Sequence, residues 1–183
     1  DNIAEFETQS ETFELPSRPL MLDRITQAIV RAKRYNGKCA LLVLDLEKVH
    51  RINNTMGHAA SEKLIRKTEK NLTDTFRSTD SVSIIDAAEF SFSLSQISSY
   101  EFAILLADFY QDDVVANALN RIFKVLEEPT VVEGVELYLD SPIGVSIYPN
   151  DGQDPEELIG NASSAMHEAK LMQGRKNFRY FSA

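Results

Sequence analysis

The first residues in this sequence that could do chemistry are two acids at the end of an apolar run. CALLVLDL (39–46) is almost continuously apolar up to Asp45, and Glu47 follows two positions later. Carboxylate oxygens are the hard ligands that a magnesium ion requires in proteins. The structural alternative is that Asp45 is a vestigial acid that holds no metal. The residue types alone leave both interpretations open.

Three further polar positions also have two interpretations. Asn53 could contact a ligand, or it could form a turn with Asn54. His58 follows Gly57, and a structural hydrogen bond at the start of a helix is the favoured interpretation there. Lys170 could contact an anion, or it could be a solvated residue on a helix face. Periodicity does not decide among these alternatives.

Length, charge and cysteine usage limit the classes of function. The 183 residues suit one domain, and 43% hydrophobic with 26% charged residues is typical of a globular protein. The net charge of −9 argues against nucleic-acid binding, which needs clustered Lys and Arg. No apolar run approaches the ~20 residues of a membrane span, so we expect no direct membrane insertion by this chain. The single cysteine, Cys39, fits a reducing, cytoplasmic compartment.

Helices are predicted where apolar residues recur at helical spacing, after an acidic linker over residues 1–14. They lie over about 20–32, 64–76 and 114–126, and after Asp154, which is followed by Pro155 and then by Glu157 in a capping pattern. The apolar residues of the first helix are Leu20, Leu22, Ile25, Ile29 and Ala32. We expect the core to include Leu158, Met166 and Met172.

Strands are predicted where β-forming residues are continuous or alternate. The buried run at 39–46 is one, and residues 82–106 contain FSFSL (90–94) and FAILL (102–106). VVEGVELYL (131–139) predicts a hairpin that turns at Glu133-Gly134, and 143–149 and 177–181 are further strands. Alternating strands and helices indicate an α/β domain with a mixed sheet.

Three longer segments, in the correct order, resemble the GGDEF (diguanylate cyclase) family. They are LLVLDLEKVHRINNTMGHAASEKL (41–64), EFAILLADF (101–109) and IGVSIYPNDGQDPEELIGNASSAMHEAK (143–170). The match covers about residues 15–181, so residues 15–183 are identified as one GGDEF-like domain. The resemblance implies a nucleotidyl-cyclase palm, an α/β (α+β) fold with a mixed, mostly antiparallel sheet flanked by helices. In that bacterial family two domains, each holding GTP and two metal ions, make cyclic di-GMP.

The resemblance also implies roles in binding metal and phosphate. Asp45 matches the first metal-binding aspartate, and Glu47 replaces the second aspartate of the pair. The segment 48–50 (Lys48, Val49, His50) matches the turn whose backbone N–H groups hold phosphates. Lys170 and Arg175 match the basic pair that grips the terminal phosphate, with one extra residue between them here.

Two positions match the residues that read guanine in the family. Asn53 matches an asparagine that contacts the base, and Glu62 stands where an aspartate normally accepts hydrogen bonds from the guanine edge. Glu62 keeps that charge. The resemblance therefore makes GTP the candidate ligand.

The signature motif has two placements in this sequence. Forward spacing gives Asp86-Ala87-Ala88-Glu89-Phe90, whereas the match at 101–109 gives Ser98, Ser99, Tyr100, Glu101 and Phe102. The second placement is favoured, and it implies an insertion of roughly a dozen residues before the turn. Either placement lacks the third-position carboxylate and both glycines of the family motif. The degenerate signature predicts that magnesium is not bound and that cyclase activity is absent.

The segment Arg77-Ser78-Thr79-Asp80 has the Arg-x-x-Asp form of the family's inhibitory cyclic di-GMP site. The insertion breaks the usual spacing to the signature. Arginine is also common in the last turn of a helix, and this structural interpretation is the favoured one.

These features predict an inactive GGDEF domain that regulates rather than catalyses. The ending GRKNFRYFSA (174–183) resembles the junction with an EAL phosphodiesterase domain, so we expect an adjacent EAL domain as partner. Allosteric GTP binding or a homodimer surface would transmit the regulation. The alternatives are a ligand-free interaction module and a residual cyclase.

Overall fold

A computed structural model describes residues 18–77, 91–98, 101–172, 174 and 177–183. The five helices in these ranges are α1 (Arg18–Tyr35), α2 (Glu47–Met56), α3 (His58–Arg77), α4 (Asp113–Leu126) and α5 (Pro155–Lys170). The strands in the same ranges are β1 (Lys38–Asp45), β2 (Ser91–Ser98), β3 (Glu101–Phe109), β4 (Thr130–Val132), β5 (Val135–Leu137), β6 (Ile143–Tyr148) and β7 (Phe178–Tyr180). In this part of the chain the predicted elements occur in the predicted order, and α2 is a helix that was not predicted.

The main sheet has the strand order β2-β3-β1-β6-β7. Strand β1 is antiparallel to both of its neighbours, and among the described strands only β7 pairs in parallel, with β6. The predicted mixed, mostly antiparallel sheet flanked by helices is therefore confirmed. The hairpin of β4 and β5 also has its predicted turn, because Glu133 and Gly134 adopt positive φ angles of 52° and 78°.

Strand β1 is buried on both faces, as its apolar run predicts. Ala40, Leu42 and Leu44 belong to the core cluster shared with α2, α3 and α4. Leu41 and Val43 belong to the second cluster, which contains the apolar residues of α1 and α5. Because successive side chains in a strand alternate between faces, the next residue on the α1–α5 face is Asp45.

Two core predictions are wrong in detail. Leu20 is largely exposed, and Met21 is buried in its place, so the buried stripe of α1 begins one residue later than expected. Met172 is also exposed, because α5 ends at Lys170 and the helical spacing does not continue past it. Leu158 and Met166 are buried, as predicted.

The start of α5 follows its capping pattern. The Asp154 carboxylate accepts a hydrogen bond from the N–H of Glu157 at 2.9 Å, and Pro155 occupies the first turn. The Glu157 carboxylate in turn accepts from the N–H of Gln153 at 3.0 Å. These local bonds fix where α5 begins.

Gly144 in β6 sets how closely α5 approaches the sheet. A Cβ at this position would lie 2.7 Å from the Cα of Met166 and would also clash with the carbonyl oxygen of Ala162 and the N–H of Met166. These are backbone atoms of α5, so the clash cannot be relieved by a rotamer change. Only glycine allows the present distance between α5 and β6.

Cys39 is expected to be unreactive in the folded protein. Its side chain is fully buried, and desolvation, assisted by the charge of Asp108, raises the pKa of the thiol to about 12. Since the thiolate is the nucleophile, we expect a thiol reagent at about pH 8 to leave the native protein unmodified and to label one thiol per chain in denaturant. Rapid labelling under native conditions would contradict the packing of β1.

Among the described helices, none combines the length and the apolar composition that crossing a membrane requires.

Candidate functional site

Asp45 and Glu101 lie side by side where two antiparallel strands meet. Asp45 is the last residue of β1, Glu101 is the first residue of β3, and the two are paired in the register of the sheet. Both side chains are mostly shielded, with 10% and 16% exposed. The strand register therefore brings together two carboxylates that are 56 positions apart in the sequence.

Asp45 is held by hydrogen bonds on its backbone and on its side chain. Its N–H donates to the hydroxyl oxygen of Ser141 at 2.8 Å, and the Ser141 hydroxyl donates to the carbonyl of Pro142 at 2.8 Å. One carboxylate oxygen of Asp45 accepts from the N–H of Glu47 at 3.0 Å. This bond satisfies an N–H group in the first turn of α2, which explains why the helix begins directly after the strand.

The other carboxylate oxygen of Asp45 contacts the ammonium group of Lys170. The Nζ of Lys170 lies 2.9 Å from Asp45 Oδ2 and 2.5 Å from Glu47 Oε2. A single cation thus bridges the two acids that the sequence singled out. The alternative that Lys170 is merely a solvated helix residue is wrong.

The charges at this bridge stabilise one another. The hydrogen bond and the charge of Lys170 hold the pKa of Glu47 below its ordinary value. Hydrogen bonds to Glu47 and Asp45 raise the pKa of Lys170 above its ordinary value. Lys170 is therefore a cation throughout the physiological pH range.

Glu101 has its own partners on α5. Its Oε2 accepts a hydrogen bond from the Ser163 hydroxyl at 2.6 Å, and its Oε1 lies 3.5 Å from Nε2 of His167. The three contact residues of α5 (Ser163, His167 and Lys170) are spaced four and three positions apart, so they share one helix face. One stripe of α5 thus contacts the acids at the ends of β1 and β3.

Sequence reasoning missed Ser141, Ser163 and His167. The spacing of Ser163, His167 and Lys170 was a usable signal, because it marks a polar stripe on a helix whose other face is apolar. Ser141 carried no comparable signal, since its role depends on where the loop before β6 meets the end of β1.

The predicted phosphate-binding turn is not a separate turn in the structure. Lys48 and Val49 lie in the first turn of α2, and the side chain of Val49 is buried in the core. The cap from Asp45 is the physical reason, because it starts the helix without an intervening turn. Asn53 also lies in this helix, so the interpretation of Asn53 and Asn54 as a turn is wrong. N–H groups of a helix start can still face an anion.

Glu62 is engaged within its own helix. Its carboxylate lies 2.6 Å from a guanidinium nitrogen of Arg66 and 3.7 Å from Nε2 of His58. His58 is the first residue of α3, which agrees with a role at the start of a helix. Asn53 is half-buried on α2, and its backbone carbonyl accepts a hydrogen bond from the backbone N–H of Gly57 at 3.0 Å. None of these contacts connects Asn53 or Glu62 to Asp45, Glu47 or Glu101.

Several predicted site residues fall outside the described ranges. These are Ser99, Tyr100, Arg175, Asp80, the side chain of Arg77 and the whole alternative placement at 86–90. The backbone of Arg77 is the last residue of α3, in line with the helix-end interpretation. Ser98 and Glu101 are paired across the ends of the antiparallel strands β2 and β3, and Phe102 is buried in the core.

The side chains in the described ranges do not fit the two metal ions of the family. No group of three or more His, Cys, Asp or Glu side chains within those ranges is arranged to hold a metal ion. Asp45 has one oxygen occupied by the N–H of Glu47 and the other by Lys170. The position that would supply a third carboxylate in the favoured placement is Tyr100.

The chain is similar to proteins of cyclic di-GMP metabolism. It is 33% identical over 81% of its length to the cyclic di-GMP phosphodiesterase NbdA of Pseudomonas aeruginosa, and 28% identical over 93% to the bifunctional diguanylate cyclase/cyclic di-GMP phosphodiesterase MucR of the same species. It spans only 17% and 23% of those two proteins.

The fold has relatives among solved structures. An EAL/GGDEF domain protein from M. capsulatus superposes with a TM-score of 0.69 and 28% identity, covering 92% of this chain and all of that one. The family model described as "Diguanylate cyclase, GGDEF domain" matches residues 12–177. This match includes Asp45, Glu47, Lys170 and every strand of the main sheet except β7, and the chain therefore belongs to the GGDEF domain family.

Proposed function

We propose that this domain is a catalytically inactive member of its family that regulates an adjacent EAL phosphodiesterase domain. The observation that carries the proposal is the ion-pair bridge of Lys170 to Asp45 and Glu47. Lys170 thereby occupies carboxylate oxygens that a cyclase would use to bind metal ions. The absence of a carboxylate at Tyr100 supports the same conclusion. An EAL partner is supported by the printed names of the relatives, of which one is a phosphodiesterase and one an EAL/GGDEF domain protein.

Allosteric GTP binding is the proposed route of regulation. Asn53 and Glu62 keep side chains able to pair with a guanine edge, and the start of α2 offers backbone N–H groups to phosphate. A coupling of ~1–3 kcal/mol between this site and the neighbouring domain suffices to change its activity severalfold. The single, buried Cys39 supports a cytoplasmic setting.

Calorimetric titration tests the nucleotide site directly. We expect GTP to bind with a dissociation constant below about 1 mM. Replacing Asn53 by alanine removes one hydrogen-bonding side chain and should weaken GTP binding about three- to tenfold. Asn120→Ala, an equivalent change on the exposed face of α4, is the matched control and should leave the affinity unchanged.

In the parent protein, GTP should change the rate of cyclic di-GMP hydrolysis, and Asn53→Ala should weaken that response. An absence of heat at millimolar GTP would remove the nucleotide mechanism. Heat that Asn53→Ala leaves unchanged would place GTP elsewhere.

A ligand-free interaction module is the second candidate, and one surface favours it. Leu171, Met172, Phe178 and Tyr180 are all exposed next to the edge strand β7, and Leu171 is 86% exposed. The rings of Phe178 and Tyr180 contact each other edge to face at 6.0 Å. A protein that binds no GTP but dimerises, or contacts its neighbouring domain, through this edge would establish this candidate instead.

A further inference from the structure

The contacts of Lys170 define a cation position inside the acidic site. Its ammonium group lies within 2.9 Å of one oxygen from each of Asp45 and Glu47. The three side chains come from the last residue of α5, the last residue of β1 and the first residue of α2. Their meeting is therefore a product of the tertiary fold.

The charges at this position are nearly balanced without any added ion. Two carboxylates face one ammonium, which leaves a formal charge of −1 for the three groups. A lysine ammonium is a compact point charge with three donors, so it can serve both acids at once. A divalent ion that used the same oxygens would compete with Lys170 for them, because two cations at contact distance repel each other.

We infer that Lys170 is a built-in counter-cation that takes the place of a divalent metal ion at Asp45 and Glu47. The inference deepens the proposed function by naming the cation of the same site, but it does not require that GTP binds. It also explains how an acid pair can persist where the other features of a metal site are gone. The lysine removes the repulsion between the acids that a metal would otherwise screen.

The position of Lys170 is set by the rest of α5. Glu101 holds Ser163 and His167 of the same helix face, and Gly144 fixes the approach of the helix to β6. The packing of α5 thus places the side chain of Lys170 near Asp45 and Glu47, independently of the attraction between their charges. A purely structural ion pair on the surface would contribute little to stability and would have no effect on metal affinity.

The test is a calorimetric titration of the protein with Mn²⁺ in the absence of nucleotide. We expect the wild-type protein to bind Mn²⁺ weakly and Lys170→Met to bind it on the order of tenfold more tightly. Lys124→Met removes an equivalent exposed lysine from the last turn of α4 and should behave like the wild type. Adding Glu47→Gln to Lys170→Met should abolish the gain, because the gain then depends on the freed acid pair.

A second readout guards against a variant that is merely less stable. Millimolar Mg²⁺ should raise the melting temperature of Lys170→Met and leave that of the wild type unchanged, since a ligand stabilises only the state that binds it. Equal Mn²⁺ affinity in wild type and Lys170→Met, or a gain that survives Glu47→Gln, would overturn the inference.

The outcomes separate this inference from the proposed function. A wild-type protein that binds neither GTP nor Mn²⁺, with a metal-binding Lys170→Met variant, would sustain the counter-cation and refute the nucleotide mechanism. A wild-type protein that binds both GTP and Mn²⁺ tightly would support the nucleotide mechanism and refute the counter-cation.

Discussion

Replacing Gly144 by alanine is expected to lower the free energy of unfolding by about 3 kcal/mol. The added Cβ would clash with the carbonyl of Ala162 and the N–H of Met166, both in the backbone of α5. Helix α5 would have to move away from β6, and the buried contacts around Met166 would loosen. A loss of this size corresponds to a fall in melting temperature of roughly 6–12 °C for a domain of this length.

Gly160→Ala is the matched control for this prediction. Gly160 lies in α5 as well, and a Cβ there would meet no atom within 4 Å. Alanine favours a helix over glycine, so this variant should gain about 0.5–1 kcal/mol. Thermal and denaturant unfolding of both variants would measure the effects. Equal shifts in the same direction would show that the close approach of α5 to β6 does not decide the effect of a substitution at position 144.

Incubated with GTP and Mg²⁺, the protein is expected to make no detectable cyclic di-GMP. The two-metal chemistry of the family needs carboxylates that hold both ions. Here Lys170 contacts Asp45 and Glu47, and the third position of the signature is Tyr100 in the favoured placement and Ala88 in the other. Loss of an outer-shell partner alone costs metal enzymes 10–100-fold, so loss of a ligand should cost at least about 100-fold.

A diguanylate cyclase of the same family, assayed at equal concentration, is the positive control. Product would be measured by chromatography over a time that allows the control to finish. Product formed at a rate within tenfold of the control would contradict the proposal that the domain is inactive. A slower but real rate that disappears in Asp45→Asn would identify a residual cyclase.

The cyclase assay and the Mn²⁺ titration examine the same acids in different ways. In the favoured placement of the signature, Tyr100 alone leads us to expect no product in the cyclase assay, regardless of the contacts of Lys170. Only the Mn²⁺ titration tests whether Lys170 occupies the position that a divalent ion would take at Asp45 and Glu47. The two results together would separate loss of the signature from replacement of the metal.

Much of the fold followed from local sequence patterns. The apolar run of β1, the turn at Glu133-Gly134 and the cap at Asp154 each depend on residues within a few positions of one another. Such features are set by backbone preferences and short-range hydrogen bonds, and these can be read without a structure. The errors at Leu20 and Met172 arose at helix ends, where periodicity does not show which turn is the last.

The candidate site was only half visible in the sequence. The order of the motifs pointed to Asp45, Glu47 and Lys170, because the family resemblance supplied the positions. The pairing of Asp45 with Glu101, and the contacts of Ser141, Ser163 and His167, depend on strand register and on where α5 crosses the sheet. Those relations join residues that are 56 to 96 positions apart, so no local pattern encodes them.

The sequence by itself indicated an α/β domain, and neither placement of the signature in it has a carboxylate at the third position. Only the tertiary structure decided that Lys170 neutralises Asp45 and Glu47. The physical reason is that an ion pair requires a distance, and this distance is set by how closely α5 packs on β6 at Gly144.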